Sequence, residues 1–188
     1  MDYNDHKPRC PWAKSNNPRY LHYHDHEWGV AVHDDHKLFE MLLLESFQAG
    51  LSWECVLNKR EAFRRAFDGF DVEAVRRFDA AKLEALAADP GIIRNRRKLQ
   101  AAVTNAQIFW EIQQAWGSFD HYLWHWTEGA VLRESGPVSS PLSDAISKDL
   151  RRRGMKFVGS VTIYAYLQAV GVIYAHVPEC FLAAQHGQ

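Results

Sequence analysis

The chain has 188 residues, 47% hydrophobic, 13% aromatic and 24% charged, with a net charge of −1. At this size folding buries about 70% of the unfolded surface, so a core can form without staples, and three Cys cannot make a pure disulfide framework. The balanced charge argues against a polyanion partner held by global attraction. No apolar run approaches the roughly 20 residues of a membrane span, and the polar start carries no signal-peptide core, so a cytoplasmic, reduced, globular protein without a membrane partner is expected.

Residues 1–33 are rich in His, Asp, Pro and aromatics without periodicity and read as ordered loops. Asp34 or Asp35 can cap a helix that runs to Gln48, where Ala49-Gly50 breaks it. Ser52 can cap the next helix, 53–67. Asp71 and Asp79 cap short helices at 72–78 and 80–88, and Asp89-Pro90-Gly91 is a turn. A long helix over 95–116 stops at Gly117. A short one spans 119–126, and Gly, Pro and Ser punctuate a loop over 128–141. Ser143 or Asp144 starts a helix through Arg153 with Gly154 as its stop, and a last helix covers 160–170. No stretch alternates for long in the strand manner, so the fold class is all-α, built of many short helices.

Within the first of these helices, Leu38, Met41, Leu42 and Glu45 fall at i, i+3, i+4 and i+7 on one oily face. A carboxylate there either reaches solvent by a small rotation, is satisfied by backbone N–H groups, or forms the floor of a pocket. An unpaired buried anion is costly, so a pocket of that kind calls for a cationic or hydrogen-bonding guest, or for protonation. Trp12, Tyr20, Tyr23 and Trp28 are large rings in a polar segment. They either seal that segment or form a stacking box for a flat ligand. Trp53 follows Glu45 across the Ala49-Gly50-Leu51 break, so the chain can fold back and bring the two together. Cys10, His24, His176 and Cys180 make two pairs near the chain ends, a Cys2His2 set of the kind a structural zinc takes, although His22, His26, His33 and His36 compete with His24. Cys55, in an apolar helix, reads as an inert core thiol.

Two basic clusters remain. The turn after Asp89 opens a helix with Arg94, Arg96, Arg97 and Lys98, where helix N–H groups and cations together suit a phosphate; a solvated basic face is the alternative. Lys148 to Lys156 ends a helix, where cations suit the dipole, and can add phosphate contacts.

Taken together, Tyr23-His24-Asp25-x-Glu27-Trp28-Gly29, Glu45 with Gln48-Ala-Gly-Leu-Ser-Trp53, Gly91-Ile-Ile-Arg94, Lys98, Ser143-Asp144-Ala145, Lys156-Phe-Val-Gly159, Gln168-Ala169 and His176 to Cys180 resemble the bacterial 3-methyladenine DNA glycosylase I family, over roughly Arg9 to Cys180. The resemblance implies a compact helix-hairpin-helix glycosylase fold spanning 1–188 as one domain of two closely packed lobes, with the helix-hairpin-helix at about 80–106. It implies one structural Zn2+ on Cys10, His24, His176 and Cys180, joining the N- and C-terminal segments. Glu45, Tyr23 and Trp53 would hold the excised base, lined by Trp12, Tyr20 and Trp28, with Glu45 as the catalytic residue. Gly50 and Leu51 would probe the DNA stack, and Gly91, Arg94, Arg96, Arg97 and Lys98 would face the DNA backbone. The implied activity is monofunctional excision of 3-methyladenine from alkylated double-stranded DNA by a cytoplasmic, nucleoid-associated monomer. The family often has Gly after its pocket Glu; here Ser46 and Phe47 follow, and both are expected beside the pocket. A damage-binding protein without turnover and a zinc hydrolase are the competing readings. Base release would separate the first, and an open metal position the second.

Overall fold

A computed structural model of the protein describes residues 6–13 and 16–183; the ends of the expected domain, residues 1–5 and 184–188, lie outside the described residues. Ten α-helices carry the described fold. The N-terminal segment holds α1 (Pro18–His26), where loops were expected. Its signals are local: the Asn17 side chain accepts from the Arg19 N–H, and Pro18 sits at the first helical position, where its missing N–H costs nothing. Helix α2 (Asp35–Gln48) begins on the expected cap, with Asp34 accepting from the Lys37 N–H. The expected helix over 53–67 is two helices, α3 (Trp53–Asn58) and α4 (Arg60–Ala66), meeting at Lys59. No Gly or Pro marks this break. Lys59 instead reaches the Pro90 and Gly91 carbonyls at 3.1 Å each, a tertiary tie. Short α5 (Val72–Val75) and α6 (Ala80–Ala88) are capped by Asp71 and Asp79, as their sequences predict, with α5 ending earlier than expected.

Helix α7 (Arg96–Trp116) starts on Asn95 and ends on Gly117 at φ 83°, and α8 (Phe119–Trp124) follows. Helix α9 (Pro141–Arg153) starts earlier than expected: Ser140 is the cap, and Ser143 closes the reciprocal capping box instead of starting the helix. Helix α10 (Ser160–Ala169) starts on Gly159. Two minimal strands, β1 (Leu132–Arg133) and β2 (Ile173–Tyr174), pair in parallel, Leu132 opposite Ile173. They qualify the all-helical expectation and tie the 128–141 loop to the C-terminal segment.

One core cluster runs from Cys10 to Leu182. Helix α2 lies at its centre, buried from Leu38 to Phe47, with α7 and α10 packed on it. The N-terminal segment docks on the end of α10: Gly29 N–H donates to the Gln168 carbonyl (2.9 Å) and Val32 N–H to Val170 (3.0 Å). Here the backbones touch. A Cβ on Gly171, at φ +74°, would lie 2.3 Å from the Val30 carbonyl carbon and 2.4 Å from the Ala31 nitrogen. The Gly171→Ala variant should therefore lose about 3 kcal/mol from overpacking and left-handed strain together, roughly 9 °C in Tm for a chain of this length. Thermal unfolding followed by circular dichroism measures it, and an unchanged Tm would refute the close approach.

Candidate active site and metal centre

All six residues expected at a base pocket, Trp12, Tyr20, Tyr23, Trp28, Glu45 and Trp53, line one cavity of about 180 Å3. That suits one planar group the size of a base and not a larger ligand. Helix α1 supplies Tyr20 and Tyr23, α2 supplies Glu45, and α3 opens with Trp53, folded back across Gly50 (φ 81°). The rings meet edge-on or tilted: Tyr23 and Trp53 centroids lie 5.2 Å apart at 52°, and Trp12 is edge-on to Trp28 at 4.8 Å. Trp12, 36% exposed, forms the rim.

Sequence reading missed Gln48, Ala165 and Gln168, which complete the wall. Gln48 had a signal, since i+3 from Glu45 keeps it on the same face; Gln168 arrives from α10 only through tertiary packing. Ser46 and Phe47 do not line the cavity, contrary to expectation. Each successive residue turns about 100° around the helix, so Ser46 bonds back to the Leu42 carbonyl (2.8 Å) and Phe47 packs on Phe63 (4.8 Å) and Phe67 (5.8 Å). Cys55 is half-buried, not in the core.

Glu45 is 3% exposed, and its Oε2 has no hydrogen-bond partner among the described residues. Burial alone pushes its carboxyl up from 4.5 to about 8, which favours the protonated acid. The Trp53 indole N–H is likewise buried and without a partner. Burial first, then Glu45, raises the hydroxyls of Tyr23 and, with Glu54, Tyr20, so both stay protonated. An orphaned acceptor, an orphaned donor and electron-rich rings make a recognition site for a flat cation with amino hydrogens.

Behind the cavity wall, Cys10, His24, His176 and Cys180 converge. All four are buried, with ligand atoms within 4.8 Å of one another. Cys10 Sγ lies 3.4 Å from His176 Nδ1, and Cys180 Sγ lies 3.4 Å from His176 Nδ1 and 3.6 Å from His24 Nε2. Metal–sulfur bonds of about 2.3 Å and metal–nitrogen bonds of about 2.0 Å in a tetrahedron place S and N about 3.5 Å apart, so the spacings fit one metal ion. The other ring nitrogens are engaged: His24 Nδ1 with Asp25 Oδ1 at 2.8 Å, itself gripped by Arg9, and His176 Nε2 with the Trp28 carbonyl at 3.2 Å. This fixes which nitrogen each His presents. Trp28 joins both sites, lining the cavity and stacking edge-on to His176 at 4.6 Å.

The expected phosphate turn after Asp89 is filled by its own side chains. Asp89 takes the Gly91 N–H (2.7 Å) and Asn95 the Lys98 N–H (3.2 Å). Space at Gly91 is tight, since a Cβ there would lie 3.1 Å from that of Ala62. Arg94 and Arg97 face solvent, and Arg96 pairs with Glu84. Lys98 departs from its expected place on a DNA-facing surface. It is 7% exposed, and its ammonium donates to the carbonyls of Phe47 (2.8 Å) and Ala49 (2.6 Å).

The profile of the methyladenine glycosylase family matches residues 12–183. DNA-3-methyladenine glycosylase 1 of Escherichia coli K12 is 43% identical over 179 residues, covering 92% of this chain and 95% of that protein. A crystal structure of 3-methyladenine DNA glycosylase I superposes with a TM-score of 0.88 at 41% identity, covering 92% of this chain and 98% of that one. A tyrosine-to-phenylalanine variant of such an enzyme, in complex with 3-methyladenine, also superposes at 0.88, with 37% identity over 92% of this chain and 95% of that one.

The raised Glu45 carboxyl makes the folded state bind a proton more tightly than the unfolded state does. Its contribution therefore lowers stability as pH rises from about 4.5 to about 8, and is constant beyond. Glu45→Gln should remove that slope, so that ΔG of the variant minus ΔG of the wild type grows across this window in urea titrations; a difference independent of pH would count against a buried, uncompensated carboxyl.

Proposed function

This chain belongs to the methyladenine glycosylase family, and on that premise we propose that it hydrolyses the N-glycosidic bond of 3-methyladenine in alkylated double-stranded DNA. The products are free 3-methyladenine and an abasic site. The carrying observation is the partnerless Glu45 oxygen inside an aromatic cavity one base in size.

Methylation at N3 makes the adenine cationic and weakens its bond to the sugar. The damaged nucleotide must leave the stack, at a cost of a few kcal/mol that is least for a damaged base. Tyr23 and Trp53 hold the cationic ring, each contact worth about 0.5–2 kcal/mol. Glu45 releases its proton to solvent as the cation binds, and the carboxylate accepts from the exocyclic amino group; a carbonyl at that edge would face it acceptor to acceptor. The C–N bond breaks with its electron pair going to the base, which departs neutral. Water adds to the sugar carbon and loses a proton, completing hydrolysis. The leaving group is already activated, so strong acid catalysis is unnecessary. No lysine is among the cavity's lining residues to form a Schiff base and cut the strand.

On the DNA side, Gly50 and the 41% exposed Leu51 form the probe loop. Arg94 and Arg97 lie toward the backbone. The α9–α10 hairpin also suits a phosphate: Lys148, Arg151 and Lys156 border it, and α10 begins without a side-chain cap, leaving N–H groups for an anion. This hairpin is the better candidate for the helix-hairpin-helix grip than the expected one at about 80–106. The metal is Zn2+ in a structural role, since two Cys and two His fill its tetrahedron and leave no open position for chemistry. We read the chain as one cytoplasmic domain acting as a monomer.

Incubated with methylated duplex DNA, the protein should release 3-methyladenine on chromatography. Glu45→Gln should cut the rate roughly 10- to 100-fold, the worth of a charge-assisted hydrogen bond, while binding to an abasic-site duplex is retained. Equal loss of both would point to misfolding, and no released base to a different substrate. Cys180→Ser or a strong chelator should remove about one zinc per chain and lower Tm; unchanged metal content and Tm would refute the zinc assignment.

A further inference from the structure

Helix α7 carries two buried polar side chains on one face that neither the cavity nor the metal cluster uses. Lys98 and Asn105 are seven residues apart, two helical turns, or about 10 Å along the axis. Each grips the backbone of a different surface loop. Lys98 takes the Phe47 and Ala49 carbonyls, two of those left open at the end of α2, immediately before Gly50 and Leu51. Asn105, fully buried, pairs its carboxamide with both sides of Lys156: Nδ2 donates to the carbonyl at 2.9 Å, and Oδ1 accepts from the N–H at 2.8 Å. The next residue, Phe157, is held at φ +56°, a left-handed conformation costly for an aromatic, and stands 36% exposed at the hairpin. Its ring lies 5.8 Å from the Lys98 ammonium, so the two grips adjoin.

We propose that Lys98 and Asn105 are positioning residues that fix the distance between the stack-probing loop 49–52 and the hairpin 154–159, so that one DNA duplex meets both at once. Neither touches the base. The inference rests on the DNA roles of the two loops proposed above. It explains why a lysine is buried here at the cost of a lowered pKa: its charge closes a helix end where a methionine would leave two carbonyls unpaired. It also explains a bidentate asparagine directed at one peptide unit. The rest of the α7 face is apolar, with Leu99, Ala102, Ala106 and Phe109 in the core, so the spacing is set by one packed helix.

The test compares wild type with Lys98→Met and Asn105→Leu in three measurements: excision from methylated duplex, affinity for a duplex with a tetrahydrofuran abasic analogue, and affinity for free 3-methyladenine by tryptophan quenching. Both variants should lose at least about tenfold in duplex kcat/KM and in abasic-duplex affinity, with free-base affinity within twofold of wild type. Lys98→Arg, which keeps donors at the helix end, should recover part of the loss. Should either first variant unfold, Lys98→Gln and Asn105→Asp are scored by the same split. Duplex activity and affinity within twofold of wild type in both positions would overturn the proposal, and so would a parallel loss of free-base binding. If the wild type itself does not bind 3-methyladenine, the substrate reading fails, and abasic-duplex affinity alone still decides the role of α7.

Discussion

The structure is organised around one desolvated oxygen. Oε2 of Glu45 is buried, and the described protein offers it no hydrogen-bond partner. Left alone, such a group takes up a proton, and burial does that here. The surrounding rings cannot satisfy a carboxylate, but they favour a flat cation. An unpaired buried acid and a flat cation are thus complementary, and the proposed selectivity for a charged purine rests on that match.

Holding such a site open requires walls that do not collapse onto it. Helix α1 has two neighbouring side chains that face different sites: Tyr23 enters the cavity, and His24 enters the metal cluster. The cluster therefore braces the wall from behind, with Trp28 between them. On the other flank, Arg60 bonds Glu40 of α2 (2.7 Å) and Glu27 at the end of α1 (2.8 Å). Glu40 is held down to about 2: burial raises it, and Arg60 and Arg64 more than offset that. Two acids five residues apart on α2 thus have opposite fates. The one given cations is held as an anion that joins helices; the one denied them is pushed toward its protonated form by burial.

How much of this could be read in advance depends on how far the cause lies along the chain. The caps at Asp34, Ser52, Asp71 and Asp79 act over three residues and were legible as such. The face shared by Leu38, Met41, Leu42 and Glu45 was legible because a helix repeats every 3.6 residues, and the return to Trp53 because Gly50 permits a left-handed turn. Helix α1 carried an Asn-Pro start, but its His- and Tyr-rich body has no apolar period, so it read as loop. The break at Lys59, the β1–β2 pairing, the inward course of Lys98 and the arrival of Gln168 are set by partners 31 to more than 100 residues away, and no local pattern encodes them. Ser46 and Phe47 fail for another reason: adjacency in sequence was taken for adjacency in space, and a helix sends neighbours to different sides.

The burial of the Glu45 carboxyl has one more effect. Duplex DNA travels inside a condensed layer of inorganic cations, and an ionised acid next to it would collect sodium, potassium or polyamines from that layer. A carboxyl whose burial favours the protonated form presents a weaker field to such ions than an exposed carboxylate would. On the proposed function, the recess therefore competes less for small inorganic cations at the DNA surface.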